Sequence, residues 1–310
     1  MKTNTIIHDL GAYKDNNLYI KREDLIPVSF GGNKARKAIK FFEDIKKTKA
    51  DCVVTYGSSS SNHCRVVSNI AASMNMPCYI IGPLEASEPT FNSRLMELFG
   101  AHIKVVPVEE VHDTIENCLD KLRKEGKNPY FIMGGGHGNI GTEAYVECYN
   151  EIEEYEKTND IKFDYIFFAS GTGTTQAGLV WEKLNKGHDR EIVGISVARK
   201  NPRGRQVVID SIKDYSKARG IVFDEDLIEK NTIFCDDYVG NGYGKDSDAV
   251  YNIIDEVMIK YGIPLDKTYT GKAFYGMNEY INKNNIKDKN ILFIHTGGTP
   301  LFFDGLTRNK

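Results

Sequence analysis

Lys34 stands in the run Phe30-Gly31-Gly32-Asn33-Lys34-Ala35-Arg36-Lys37, where two glycines and an asparagine make a turn and a helical apolar repeat begins at once. A cation in a first helical turn is disfavoured by the helix dipole, so this lysine either faces solvent or has a task. The helix terminus and its neighbours Arg36 and Lys37 would depress its pKa, which favours a nucleophilic amine. A second run, Tyr56-Gly57-Ser58-Ser59-Ser60-Ser61-Asn62-His63-Cys64-Arg65, leaves a strand, crosses a loop of small residues and starts a helix. A Ser or Asn there can cap the helix, and the backbone N–H groups at its start can hold an anion. A third run, Ser170-Gly171-Thr172-Gly173-Thr174-Thr175-Gln176, repeats the strand, loop and helix pattern. Its N–H groups and hydroxyls read as a phosphate cradle. No Gly-Lys-Ser/Thr follows, and Gln176 stands where a dinucleotide fingerprint needs its third glycine, so a monophosphate is the natural ligand. The carboxyl-terminal part adds Gly242-Tyr243-Gly244, then Tyr269-Thr270-Gly271-Lys272, then His295-Thr296-Gly297-Gly298. Together these pieces offer an amine, an anion cradle, a second anion site and a polar floor.

Short apolar runs that read as strands cover 52–56, 78–82, 103–107, 130–133, 164–169, 192–197 and 291–295. Between them lie helical repeats, such as Ala35, Ala38, Ile39, Phe42 and Ile45, or Val66, Val67, Ile70, Ala71 and Met74. Strand–helix–strand alternation predicts an α/β fold with parallel sheets and right-handed crossovers. The polar stretch 151–162 reads as a solvated helix end near a domain change. A second, 200–215, reads as a mobile loop.

At 310 residues the chain is long enough for about two domains with a large core. Forty Lys and Arg against 43 Asp and Glu give a net charge of −3, which offers no footprint for nucleic acid or an acidic membrane. Six cysteines without a C-x-x-C pair show no metal-ligand spacing and suit a reducing cytoplasm. The amino terminus has no apolar signal-peptide core, and no apolar run is long enough to span a bilayer.

The motifs resemble the fold-type II pyridoxal-phosphate enzymes, which are tryptophan synthase β-like, and within them the D-cysteine desulfhydrase / 1-aminocyclopropane-1-carboxylate (ACC) deaminase family. The resemblance runs from Tyr19-Ile20-Lys21-Arg22-Glu23-Asp24 to Pro300. It implies two α/β domains: a large one from 1–46 plus 157–310 and a small one over 47–156, with the cofactor between them. Lys34 would carry pyridoxal phosphate as a Schiff base. Lys37 and the loop of Gly171, Thr172, Gly173, Thr174 and Thr175 would hold its phosphate, Asn62 its phenolic oxygen, and Thr296 would face its pyridine nitrogen. The backbone of Ser60, Ser61, Asn62 and His63 and the Ser61 hydroxyl would meet the substrate carboxylate, with Tyr243, Tyr269 and Thr270 also lining the substrate side. Ser61 and the two tyrosines would join Lys34 in catalysis.

The implied reaction is β-elimination from a small amino acid, with D-cysteine first, giving pyruvate, ammonia and sulfide. ACC deaminases carry Glu where this chain has Thr270 and Leu where it has Thr296, so ring opening is the second reading, beside elimination from another amino acid. The usual Gln of the family's substrate loop is His63 here, a candidate proton carrier or leaving-group contact, or a residue that only faces the loop. A non-catalytic pyridoxal-phosphate or amino-acid binding protein is the reading from another class. The family also implies a homodimer.

Overall fold

The computed structural model describes residues 3–238 and 248–306. The chain opens with β1 (Ile7–Tyr13), β2 (Asn16–Lys21), α1 (Asn33–Thr48), β3 (Cys52–Tyr56) and α2 (Asn62–Ser73). It continues with β4 (Cys78–Pro83), α3 (Phe91–Leu98), β5 (His102–Val106), α4 (Val111–Lys124), β6 (Pro129–Phe131) and the long α5 (Asn139–Asn159). Then come β7 (Tyr165–Ser170), α6 (Thr174–Lys186), β8 (Glu191–Ser196), α7 (Arg203–Arg219), α8 (Glu225–Asn231) and β9 (Ile233–Cys235). The last elements are α9 (Asp248–Tyr261), α10 (Thr270–Lys283), β10 (Asn290–Ile294) and α11 (Thr299–Leu306).

Two sheets result. One has six strands in the order β1-β2-β10-β7-β8-β9, the other four in the order β5-β4-β3-β6. Every pairing is parallel except β1 with β2. Central strands such as β7 and β10 are apolar on both faces because helices cover both sides. The antiparallel β1–β2 hairpin departs from the expected all-parallel sheets. Its edge strand β1 is mostly exposed and carries no apolar run, so nothing marked it in the sequence.

The expected mobile loop at 200–215 is corrected to the helix α7. Val208, Ile209, Ile212 and Tyr215 recur at helical spacing and pack with Trp181 in the core. The stretch is polar on average, and its buried stripe is what folds it. The apolar face of α1 packs with β3 and α2 of the four-stranded layer, whereas α5 packs into the six-stranded layer. The expected limits at 47 and 156 therefore cut across this packing.

Candidate functional site

Four loops meet at the carboxyl ends of β3, β7 and β10, where α/β folds place ligands. The Gly31-Gly32 turn enters α1, and Gly297 follows β10. A side chain at Gly32 would stand 2.6 Å from the Thr296 carbonyl, and one at Gly297 would stand 2.7 Å from the Gly32 Cα. The two backbones therefore interlock only because both residues are glycine, with φ of 95° and 102°. Asn33 N–H donates to the Thr296 carbonyl at 3.0 Å. The Asn33 side chain donates to Thr175 Oγ1 at 3.2 Å. One residue further, Lys34 Nζ donates to the Gly135 carbonyl at 3.2 Å.

Burial first, and the Arg199 guanidinium second, lower the Lys34 pKa to about 8. The sequence assigned that depression to Arg36 and Lys37. Arg36 is instead held in an ion-pair network, with Nε 2.6 Å from Glu23 and Nη1 2.8 Å from Glu151. Lys21 completes it at 2.8 Å from Glu151. Glu23, Cys148 and Glu151 lie close enough to share an ion. Two cations already neutralise both carboxylates, so the cluster reads as an anchor for the first turn of α1.

Lys37 is buried, and its ammonium donates to Thr174 Oγ1 at 2.7 Å. Among the described residues no carboxylate pairs with it. Its pKa is pushed well below the usual lysine value by burial and then by Lys34. Beside it the loop of Gly171, Thr172 and Gly173 leads into α6, and the Thr172 hydroxyl is buried without a hydrogen-bond partner. A buried lysine without a counter-anion, an orphaned hydroxyl and a helix amino terminus fit a phosphate monoester. Pyridoxal phosphate, with a carbonyl for the adjacent Lys34 amine, suits this donor set.

The sequence reading missed two parts of the site. Gly134-Gly135-Gly136-His137-Gly138 follows β6 and closes over Lys34, Lys37 and Thr174. Its glycine density was a usable signal, but it lacks the hydroxyls that drew attention elsewhere. Arg199 reaches the Gly171 carbonyl at 2.8 Å from beyond β8, with no local motif to mark it.

The serine loop behaves as expected at its cap, since Ser61 Oγ accepts from Cys64 N–H at 3.2 Å. Asn62 Oδ1 accepts from Asn92 at 2.9 Å, leaving its NH2 as the donating end. Ser60 pairs with Ser58 through their hydroxyls at 3.1 Å. His63 is corrected. It is buried, with Nε2 2.9 Å from Thr55 Oγ1, whose own proton goes to the Ile132 carbonyl. Nε2 therefore carries the hydrogen, and Nδ1 is left as an unpartnered acceptor. Burial, then Lys34 and Lys37, lower the His63 pKa to about 3. Burial therefore favours the neutral imidazole, with Nδ1 as an acceptor.

The Thr270 hydroxyl accepts from Asp266 N–H at 2.9 Å and donates to Asp266 Oδ1 at 2.8 Å, so it also shapes the turn that leads into α10. Tyr269, half-buried, precedes α10 in that turn. Thr296 lies buried beside His295, which donates from Nε2 to the Pro264 carbonyl at 2.7 Å. Tyr243 lies outside the described residues.

The family described as "Pyridoxal-phosphate dependent enzyme" matches residues 3–297. The chain belongs to the pyridoxal-phosphate-dependent enzyme family. A D-cysteine desulfhydrase from Serratia proteamaculans is 32% identical to this enzyme over 307 residues, covering 95% of this chain and 90% of the relative. A D-cysteine desulfhydrase from Yersinia enterocolitica is 30% identical over 304 residues, with the same coverage of 95% and 90%. The crystal structure of an ACC deaminase homologue superposes with a TM-score of 0.87 at 31% identity, covering 97% of this chain and 92% of that one. The enzyme thus has a fold-type II architecture and takes pyridoxal 5'-phosphate as its cofactor. Among the described residues no helix is long and apolar enough to cross a membrane.

One result follows from the depressed amine. The neutral form, present above the pKa, is the one that captures a carbonyl. Uptake of pyridoxal phosphate by apoenzyme should rise with pH about a midpoint near 8, not the ordinary lysine value of 10.5. Arg199→Gln should raise that midpoint. Stopped-flow absorbance across pH 6–11 reads both, and an unmoved midpoint would exclude Arg199 as a cause.

Proposed function

We propose that this enzyme is a lyase that eliminates the β substituent of a small amino acid, with D-cysteine converted to pyruvate, ammonia and hydrogen sulfide. The observation that carries the choice is Thr270. ACC deaminases resemble this chain but have a glutamate there. Here the side chain is neutral, and its hydroxyl is committed to Asp266.

Bound pyridoxal phosphate supplies an electron sink for the pair left at Cα when its proton departs. Lys34 takes that proton, because burial has made its amine a base poised near neutrality. Lys37, Thr172 and the N–H groups entering α6 would hold the phosphate, Asn62 would donate to the phenolic oxygen, and Thr296, a neutral group, would face the pyridine nitrogen. Ser61 and the first N–H groups of α2 bind the substrate carboxylate. Tyr269 faces the departing sulfur and returns a proton to it. The four-stranded layer closes on the six-stranded one to keep water from the reacting carbon.

All six cysteines are free, in keeping with a reducing cytoplasm. Met258, Ile259 and Leu306 on α9 and α11 expose apolar surface suited to a homodimer, which a single-chain mass by sedimentation would contradict.

The test is release of keto acid from the cofactor-loaded enzyme. D-Cysteine should give pyruvate and sulfide in equal amounts, while ACC should give no 2-oxobutanoate. Cofactor spectra perturbed by every substrate without release would favour a binding protein. 2-Oxobutanoate from ACC would favour the deaminase reading.

A further inference from the structure

Arg65 is fully buried, yet its Nε, Nη1 and Nη2 have no hydrogen-bond partner. Its guanidinium lies over the Phe30 ring at 5.8 Å. A single cation–π contact does not offset the desolvation of a buried guanidinium. Burial draws its pKa down to about 9, and the groups that oppose this fall are Asp266 and Tyr269. Both belong to the other layer. Arg65 rides on α2 against the four-stranded sheet, while Asp266 and Tyr269 lead into α10 on the six-stranded sheet.

Asp266 is the complementary oddity. It is fully buried, and among the described residues no cation lies within ion-pairing distance of it. Its oxygens organise its own turn. Oδ2 accepts from Thr268 N–H and Tyr269 N–H, each at 2.9 Å. Oδ1 accepts from Thr270 N–H at 3.0 Å and from its hydroxyl at 2.8 Å. A side chain at Gly298 would fall on Oδ1, so the turn is also wedged against the end of β10. Asp266 therefore decides where Tyr269 stands.

We propose that Arg65 is a positioning residue of the reaction: as the layers close, its guanidinium pairs with Asp266 and fixes the Tyr269 turn over the substrate. Charge-assisted Arg–carboxylate bonds are short and directional, which suits a contact that must form only in the closed state. The proposal rests on the lyase reading for the role of Tyr269, but the pairing itself does not depend on which amino acid is bound.

The test uses the cofactor-loaded enzyme with Arg65→Gln, Arg65→Lys, Asp266→Asn and the double variant Arg65→Gln/Asp266→Asn. Arg65→Gln should lower kcat for D-cysteine by about tenfold to a hundredfold, with KM within about threefold. Arg65→Lys should restore part of it, and it keeps the experiment alive if the Gln variant fails to fold. The double variant should be no worse than the worse single one, because the pair acts as a unit. A second readout needs no turnover: hydrogen exchange over 262–272, with D-alanine as a probe that has no β leaving group. The wild type should gain protection on adding D-alanine, and Arg65→Gln should not. If D-cysteine is not turned over but this Arg65-dependent protection remains, the substrate reading fails and the pairing stands. Additive losses, equal protection in Arg65→Gln, or a rise in KM alone with Asp266→Asn unaffected would overturn the pairing; the last would make Arg65 a direct ligand of the substrate carboxylate.

Discussion

Lys34→Ala should lose keto-acid release by at least about 10⁴-fold, because it removes both the carbonyl-capturing amine and the base at Cα. The position is built for this loss to be specific. Lys34 contributes one hydrogen bond, to the Gly135 carbonyl, whereas the first turn of α1 is fixed by Asn33 and Arg36. The variant should therefore fold as the wild type does. Its phosphate cradle, with Lys37 on Thr174, is intact, so the cofactor should still bind, without the absorption band of the lysine adduct. Lys37→Ala should show the opposite pattern, with weaker cofactor binding and activity recovered at high pyridoxal phosphate. Wild-type release by Lys34→Ala would remove the basis for the mechanism.

Glu23→Gln should destabilise the fold by about 3–5 kcal/mol, the range for removing one partner of a buried ion pair, because Glu151 alone then faces two buried cations. Glu23 is wholly buried and accepts from Arg36 at 2.6 and 2.8 Å, Thr5 at 2.7 Å and Tyr145 at 3.2 Å. Burial alone would raise its pKa, but the charge and hydrogen bonds of Arg36, then Lys21 and Thr5, reverse this and lower it from 4.5 to about 2. A depressed carboxylate contributes its stability above the unfolded pKa and loses it as pH falls through the folded one. The gap in denaturation midpoint between wild type and variant should thus be constant above about pH 5 and narrow toward pH 2. A gap that stays constant to pH 3 would mean that the charge of Glu23 is not what matters. Because the same network seats Arg36 two residues from Lys34, the variant should also hold the cofactor less tightly.

The parallel framework was legible because its central strands are short apolar runs, each ending in small or hydroxylated residues. Cys52–Tyr56 falls on its expected bounds, and the other six expected strands lie within a few residues of theirs. The glycine turns at 31–32 and 297–298 could be seen as turns, but not that each is shaped to admit the other. Long-range pairs left no local mark. Glu23 with Arg36 and Glu151, and Arg199 with Gly171, join residues whose partners only the fold reveals. His63 shows the limit of reading residue type as chemistry. A histidine in a polar loop suggests a proton carrier, yet its burial beside two lysines favours the neutral form.

The most direct measurement is borohydride reduction of the cofactor-loaded enzyme followed by peptide mapping by mass spectrometry. A single reduced-cofactor adduct is expected, on Lys34, and none in Lys34→Ala. An adduct on another lysine, such as Lys37 or Lys272, would contradict the role of Lys34.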